Sequence, residues 1–152
     1  MPRVEVAENT FRAGAANHSH ASLSENRKRR RIPRMPRIHL ASETDLTDGQ
    51  TLKFSFRRGT GIVEGFLARF DGNIVAYENV CRHLPLTLDY DDNRFFDSEG
   101  KFIICQTHGA MYHPANGRCI EGPCGGESLY PIEISVDGGA VWLTEKGAEA
   151  QE

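Results

Sequence analysis

From Ile38 onward the apolar positions recur with the period of two that marks strands, and no stretch carries a convincing helical period. Thr51-Leu52-Lys53-Phe54-Ser55-Phe56-Arg57 alternates along its whole length, as a half-buried strand does. Phe66-Leu67-Ala68-Arg69-Phe70 and Ile74-Val75-Ala76-Tyr77 flank Asp71-Gly72-Asn73, a hairpin signal. Phe102-Ile103-Ile104 is a short apolar run suited to a buried strand, and Asn116-Gly117 offers a tight turn after Met111-Tyr112. Leu129 to Val136 and Ala140 to Thr144 bracket Asp137-Gly138-Gly139, a third hairpin. The pattern predicts an all-β domain of short antiparallel strands.

Residues 1–37 lack either periodicity and contain the run Arg27-Lys28-Arg29-Arg30-Arg31 with Pro33 and Pro36. So little apolar surface cannot offset the entropy of ordering, which predicts a disordered basic tail. The domain is expected over 38–146, with 147–152 as a C-terminal tail. Charge follows the same division. The total of −3 splits into +6 for residues 1–39 and −9 for residues 40–152. The basic run could contact nucleic acid or an anionic surface, but a solvated extension is the simpler reading, and His18 and His20 within it are given no role. No apolar run approaches the ~20 residues of a spanning helix, and the start has no apolar core of a secretory signal. The protein is therefore expected to be cytoplasmic, where cysteines more often bind metal than form bridges.

Two segments carry the chemistry. Cys81-Arg82-His83 and Cys105-Gln106-Thr107-His108 read as C-x-H, twenty-one residues, then C-x-x-H. Each supplies one thiolate and one imidazole from a tight loop at a strand end, so the two pairs can converge on one inorganic centre. Zinc accepts such a Cys₂His₂ set, although the order here differs from that of a zinc finger.

Cys81-x-His83 with Cys105-x-x-His108-Gly109 resembles the Rieske motif, in which two Cys hold one iron of a [2Fe–2S] cluster and two His the other. Tyr112 stands at the aromatic position after the second His, and Asn116-Gly117-Arg118 is similar to the turn that follows. Gly122-Pro123 resembles the proline loop that covers the cluster, and Leu129-x-Pro131-x-Glu133-Ile134 through Val141 the closing strands. The resemblance implies a Rieske-type fold with a cluster-binding subdomain of two ligand loops. It implies one [2Fe–2S] cluster per chain, with Cys81 and Cys105 on the buried iron and His83 and His108 on the outer one. Around them it places Leu84, Ala110, Tyr112 and Pro123, with Leu84, Pro85 and Pro123 as an apolar rim.

Departures from the family pattern refine the expectation. Respiratory-complex members join their ligand loops by a disulfide, and the corresponding positions here are Leu86 and Thr107. They also carry a Ser two residues after the second His, where this chain has Ala110. Without that hydroxyl donor, sulfur charge is less stabilised, and an intermediate-to-low potential is expected within the family span of about −150 to +300 mV. The linker insert Asp89–Asp97 is expected as a hairpin beside the cluster with solvated acids. Cys119 and Cys124 are expected as two small buried residues flanking the proline loop, in preference to a disulfide or redox switch. His113 is expected at the surface, His39 without a partner, and Trp142 in packing or at an edge.

Function follows from what fits. An oxygenase subunit would need a further domain with a 2-His-1-carboxylate iron site, and nicotinamide binding a G-x-G-x-x-G; neither is found. The expected role is a ferredoxin-like one-electron carrier between redox partners, a reductase on one side and an oxygenase or other acceptor on the other. It would be a component of an oxidoreductase system with no catalytic activity of its own. The alternatives are a cluster-bearing regulatory or structural module, such as a redox sensor, and a zinc-binding β-module.

Overall fold

The computed structural model describes residues 36–151. The basic run, His18 and His20 lie outside the described residues. Among the described residues, ten strands form three antiparallel sheets, and the only helical element is a 3₁₀ turn at Glu43–Asp45. The first sheet orders β1 (Ile38–Ser42), β9 (Ala140–Leu143) and β8 (Ile134–Asp137). The second orders β10 (Ala148–Ala150), β2 (Thr51–Arg58), β3 (Gly61–Phe70) and β4 (Asn73–Glu78). The third joins β5 (Ile103–Ile104), β6 (Met111–Tyr112) and β7 (Cys119–Glu121). The hairpins around Gly72 and Gly138 fall where the sequence placed them.

Strand β3 organises the molecule because both of its faces are buried. Its odd residues join one core and its even residues another. Leu67 packs with Phe56, Ala76, Ile132, Val141 and Leu143 against the first sheet. Phe66 and Ala68 pack with Tyr77, Leu88, Phe95, Ile103 and Tyr112, toward the third sheet. Phe66 and Phe95 stack with centroids 4.0 Å apart and planes 9° from parallel. The contiguous run Phe66-Leu67-Ala68 is thus the signature of a strand between two layers. Gly65 lies opposite Phe54 in this strand pair, and a Cβ there would meet Ile132 Cδ1 at 2.6 Å and Phe54 Cζ at 2.9 Å. Only a bare backbone allows that packing.

Several expectations are corrected. The segment from residue 147 contains β10, whose Ala148–Ala150 pair with Arg58–Phe56, so it adds an edge to the second sheet. Arg37, expected in the tail, is held to the domain: its guanidinium lies 4.1 Å over the Trp142 ring and pairs with Asp137 at 3.1 Å. His39 has a partner after all, meeting Trp142 edge-on at 5.1 Å. Finally, the Asp89–Asp97 insert is no hairpin. Its Phe95 enters the core, and a single bridge joins Phe96 to Ile103.

Nor is Asp89 solvated: its side chain is fully buried. Its carboxylate accepts from Asn79 Nδ2 at 2.9 Å, the Asn93 backbone N–H at 3.0 Å and Lys53 Nζ at 3.2 Å. Asn79 Oδ1 in turn accepts the Leu88 N–H at 2.8 Å. Burial alone would raise the Asp89 carboxyl, but the bonds from Asn79, Asn93 and Lys53 more than offset it and hold it below the usual carboxylate range. A depressed acid contributes stability above its unfolded value and loses it as pH falls through the lower folded value. Asp89→Asn is expected to cost about 2 kcal/mol at pH 7 in urea unfolding of the cluster-loaded protein. The deficit relative to the wild type should shrink below about pH 4, as the wild-type carboxyl also loses its charge. A deficit independent of pH would show that the charge is not what matters.

Candidate functional site

The two ligand loops hang from the ends of short strands. Cys81 follows β4, and its N–H donates to Leu86 O at 2.7 Å, closing the first loop around His83. Cys105 follows β5, with its N–H bonded to Ala110 O and Gly109 N–H returned to Cys105 O, each at 2.8 Å. Gly109 takes φ +73°, which suits glycine at this return. The loops are tied to each other where Gln106 N–H donates to Leu88 O at 2.8 Å.

The thiols and imidazoles sort by depth. Cys81 and Cys105 are buried and unpaired, His108 is half-buried, and His83 is exposed. The ligand atoms of Cys81, Cys105 and His108 all lie within 4.8 Å of one another. His83 joins them through its ring, edge-on to His108 with centroids 5.0 Å apart. His108 Nδ1 is buried without a hydrogen-bond partner. An orphaned imidazole nitrogen beside two free thiols is costly unless it serves as a ligand. The donor set therefore suits a mixed thiolate and imidazole centre, and zinc and a [2Fe–2S] cluster both accept such donors.

The two thiols are not equivalent. Burial pushes the Cys81 thiol up, but the His83 N–H, the Tyr112 hydroxyl and the Leu84 N–H outweigh it, so Cys81 ionises more readily than an ordinary thiol. Burial raises Cys105, and its neighbour Cys81 raises it further. Tyr112 is fully buried between them and the proline loop. Its hydroxyl accepts the Arg82 N–H at 3.1 Å and lies 3.6 Å from Cys81 Sγ. Burial, together with the nearby thiols, holds its phenol well above the usual value.

The other residues singled out in the sequence fall as follows. Leu84 and Leu86 are exposed on the first loop, with Pro85 between them, and Pro123 is exposed on the covering turn. Ala110 is fully buried beneath Gly122. Leu86 and Thr107 are both exposed, and neither can form a disulfide. His113 is half-buried rather than at the surface, edge-on to Phe70 at 6.1 Å. Trp142 lies half-buried on a central strand, not at an edge.

Cys119 and Cys124 are buried beside the proline loop as expected, but their sulfurs are joined in a disulfide. That corrects the expectation of two separate thiols. Sequence spacing left the bond open because β7 and the turn after it decide whether the two side chains face each other. Arg82 is a second residue the sequence did not mark. Its guanidinium lies 4.1 Å over the Tyr130 ring, donates to Ser128 O at 2.6 Å and pairs with Glu127 at 2.8 Å. The middle residue of the C-x-H motif thereby fastens the first loop to the chain beyond the proline loop. The only local signal was a cation between Cys81 and His83, with nothing to name partners some 46 positions away.

Comparison with known proteins agrees with this geometry. A chain in the oxygenase–ferredoxin complex of carbazole 1,9a-dioxygenase is 20% identical, with 78% of this chain and 99% of that chain covered and a TM-score of 0.58. The ferredoxin of carbazole 1,9a-dioxygenase from Nocardioides aromaticivorans IC177 is 21% identical, covering 72% of this chain and 98% of that one, with a TM-score of 0.56. The Sphingomonas yanoikuyae B1 ferredoxin is 20% identical, covering 72% and 99%, with a TM-score of 0.53. At these identities the likeness is one of fold. No curated protein matches the sequence. The profile of the Rieske [2Fe-2S] domain, however, matches residues 37–134, a stretch that holds both ligand loops and the proline loop. The chain belongs to the Rieske [2Fe-2S] domain family.

Proposed function

We propose that this protein is a one-electron carrier of the ferredoxin type, with Cys81 and Cys105 on the inner iron of its [2Fe–2S] cluster and His83 and His108 on the outer one. The observation that carries this is the sorting of donors by depth: buried thiols, and imidazoles at the exposed edge. When bound, the cluster supplies a single electron that it can take up and release. The chain's own residues do the rest. Cys81 and Cys105 keep the anionic side away from water, while His83 and His108 form the short route to a partner. Leu84, Pro85 and Leu86 give that edge an apolar rim from which water can be displaced on docking. Among the described residues, Cys81, Cys105 and His108 form the one such grouping of three ligand-bearing side chains.

A ferredoxin bound to its oxygenase is among the structures of similar fold. By that analogy a reductase donates to this chain, and an oxygenase or other acceptor takes the electron. The −9 balance of residues 40–152 favours partners with basic docking faces. We assign the cytoplasm as compartment, since the two ligand thiols need a setting that keeps them reduced until the cluster is in place; no helix among the described residues is long and apolar enough to cross a membrane.

Electron paramagnetic resonance of the dithionite-reduced protein, with iron and sulfide quantified, tests the centre directly. A low-average-g signal with two irons and two sulfides per chain is expected; a colourless, zinc-loaded protein would reject it. Cys81→Ser or Cys105→Ser should abolish the cluster, while His83→Cys or His108→Cys should lower the potential and shift the spectrum. A normal cluster in Cys105→Ser would reject the ligand set. The missing hydroxyl at Ala110 favours an intermediate-to-low midpoint within the family span of about −150 to +300 mV. Ala110→Ser should raise it, as read by voltammetry, and a wild-type value near the top of the span would contradict the assignment. Association with a basic reductase or acceptor should slow steeply with added salt in stopped-flow mixing; a salt-independent rate would remove charge from the recognition.

A further inference from the structure

We propose that Cys119 and Cys124 form a second redox site in this protein, a thiol–disulfide couple that takes a dithiol as its reductant and sets the hydrogen bonding of the Cys81 sulfur through Tyr112. The proposal rests on the assignment of Cys81 as a cluster ligand. Its starting point is position. The two cysteines are five residues apart with Cα atoms 6.1 Å from each other, and the bond between them closes a ring around Gly122-Pro123. That turn lies directly on the second ligand loop, where a Cβ on Gly122 would come within 2.8 Å of Ala110 Cα. At the other side of the ring, Cys124 Sγ sits 3.3 Å from the Tyr112 hydroxyl.

The Tyr112 oxygen therefore stands between two sulfurs, Cys124 at 3.3 Å and Cys81 at 3.6 Å, while the Arg82 N–H donates to it at 3.1 Å. The phenol has one proton to give. A disulfide sulfur carries no hydrogen and can only accept, so in the oxidised pair Cys124 competes with Cys81 for that proton. Reduction changes the count. The Cys119–Cys124 bond takes two electrons and two protons from a dithiol, which closes into its own disulfide, and each cysteine gains an S–H. Cys124 then donates to the phenol oxygen, and the phenol proton is left to Cys81. A hydrogen bond to a ligand sulfur stabilises the added negative charge of the reduced centre and raises its potential.

The pair is also placed to be reached. Both cysteines are buried, but what covers them is one surface turn: Ile120 to Pro123 and Gly125 to Glu127 are all exposed. Gly122 and Gly126 take positive φ, so the turn is built from residues with little side chain to bury. Opening that turn is the route to the two sulfurs, which stand in the core cluster that also holds Phe66 and Phe95. The reductant is thus expected to be a dithiol, small or carried by a protein, and the output a change in how readily the chain accepts its electron.

The test uses the full-length, cluster-loaded protein with and without anaerobic dithiothreitol. Cysteine labelling by iodoacetamide, located by mass spectrometry, is read beside the midpoint potential and the resonance signal of the cluster. The expected result is no label at Cys119 or Cys124 before reduction and both labelled after it. The cluster signal should persist, and the midpoint should move upward. The upward shift should vanish in Tyr112→Phe and in Cys119→Ala/Cys124→Ala, and the latter should hold one potential whatever the thiol conditions. Should Tyr112→Phe fail to fold, the insensitivity of the double variant decides. The proposal is overturned by equal potentials in the two thiol states, by labelling that occurs only after denaturation, or by loss of the cluster on reduction. Failure of the ligand assignment would register separately, as a normal cluster in Cys81→Ser.

Discussion

One buried charge holds the two halves of this domain in register. Asp89 lies between the ligand loops in sequence, and its side chain is fully buried. Its carboxylate gathers Lys53 from β2, Asn79 from just beyond β4 and the Asn93 backbone from the insert. Asn79 is two residues before Cys81, and Leu88, which bonds to Asn79, receives the N–H of Gln106 next to Cys105. Both ligand loops are thus anchored to the same short polar chain. A buried carboxylate is tolerable only when its oxygens are satisfied, and here every bond that satisfies it also fixes a loop.

Strand β3 does for the apolar residues what Asp89 does for the polar ones. It belongs to neither layer alone, since its odd residues complete the core under β8 and β9 and its even residues the core under the cluster site. Displacing it would disturb both. The arrangement gives the cluster site a rigid floor of Phe66, Phe95, Ile103 and Tyr112, while the chemistry sits on loops that need little regular structure of their own. The third sheet has strands of only two or three residues, and it suffices because its backbone groups are mostly used to close the loops.

Much of this was legible in the sequence because the signals were local. Alternation marked β2, the Asp71-Gly72-Asn73 and Asp137-Gly138-Gly139 turns marked their hairpins, and the Cys–His pairs marked two loops that the structure brings together. What the sequence did not reveal depended on side chains meeting across distance. Asp89 read as one more acid in an acidic loop, because its partners Lys53 and Asn79 lie 36 and 10 positions away. Arg82 was hidden for the same reason. The Cys119–Cys124 bond turned on the direction of two side chains rather than on their spacing, and β10 was missed because Ala-Glu-Ala carries no strand propensity and forms only against an existing edge.

The treatment of that edge has a consequence for how the protein behaves in a crowd. β2 would otherwise present eight residues of open backbone on the side away from β3. β10 occupies the Phe56–Arg58 end, and at the other end Asn93 Nδ2 caps the Thr51 carbonyl at 2.9 Å while Thr51 Oγ1 donates to Asn93 O at 2.8 Å. The far side of the same sheet is closed as well, since Tyr130 and Ile132 bond along β4. Three outlying segments with no part in holding iron thereby cover edges of this sheet on which a neighbouring chain could add a strand. In the second sheet, protection of the edges is carried by pieces that look dispensable to the redox chemistry.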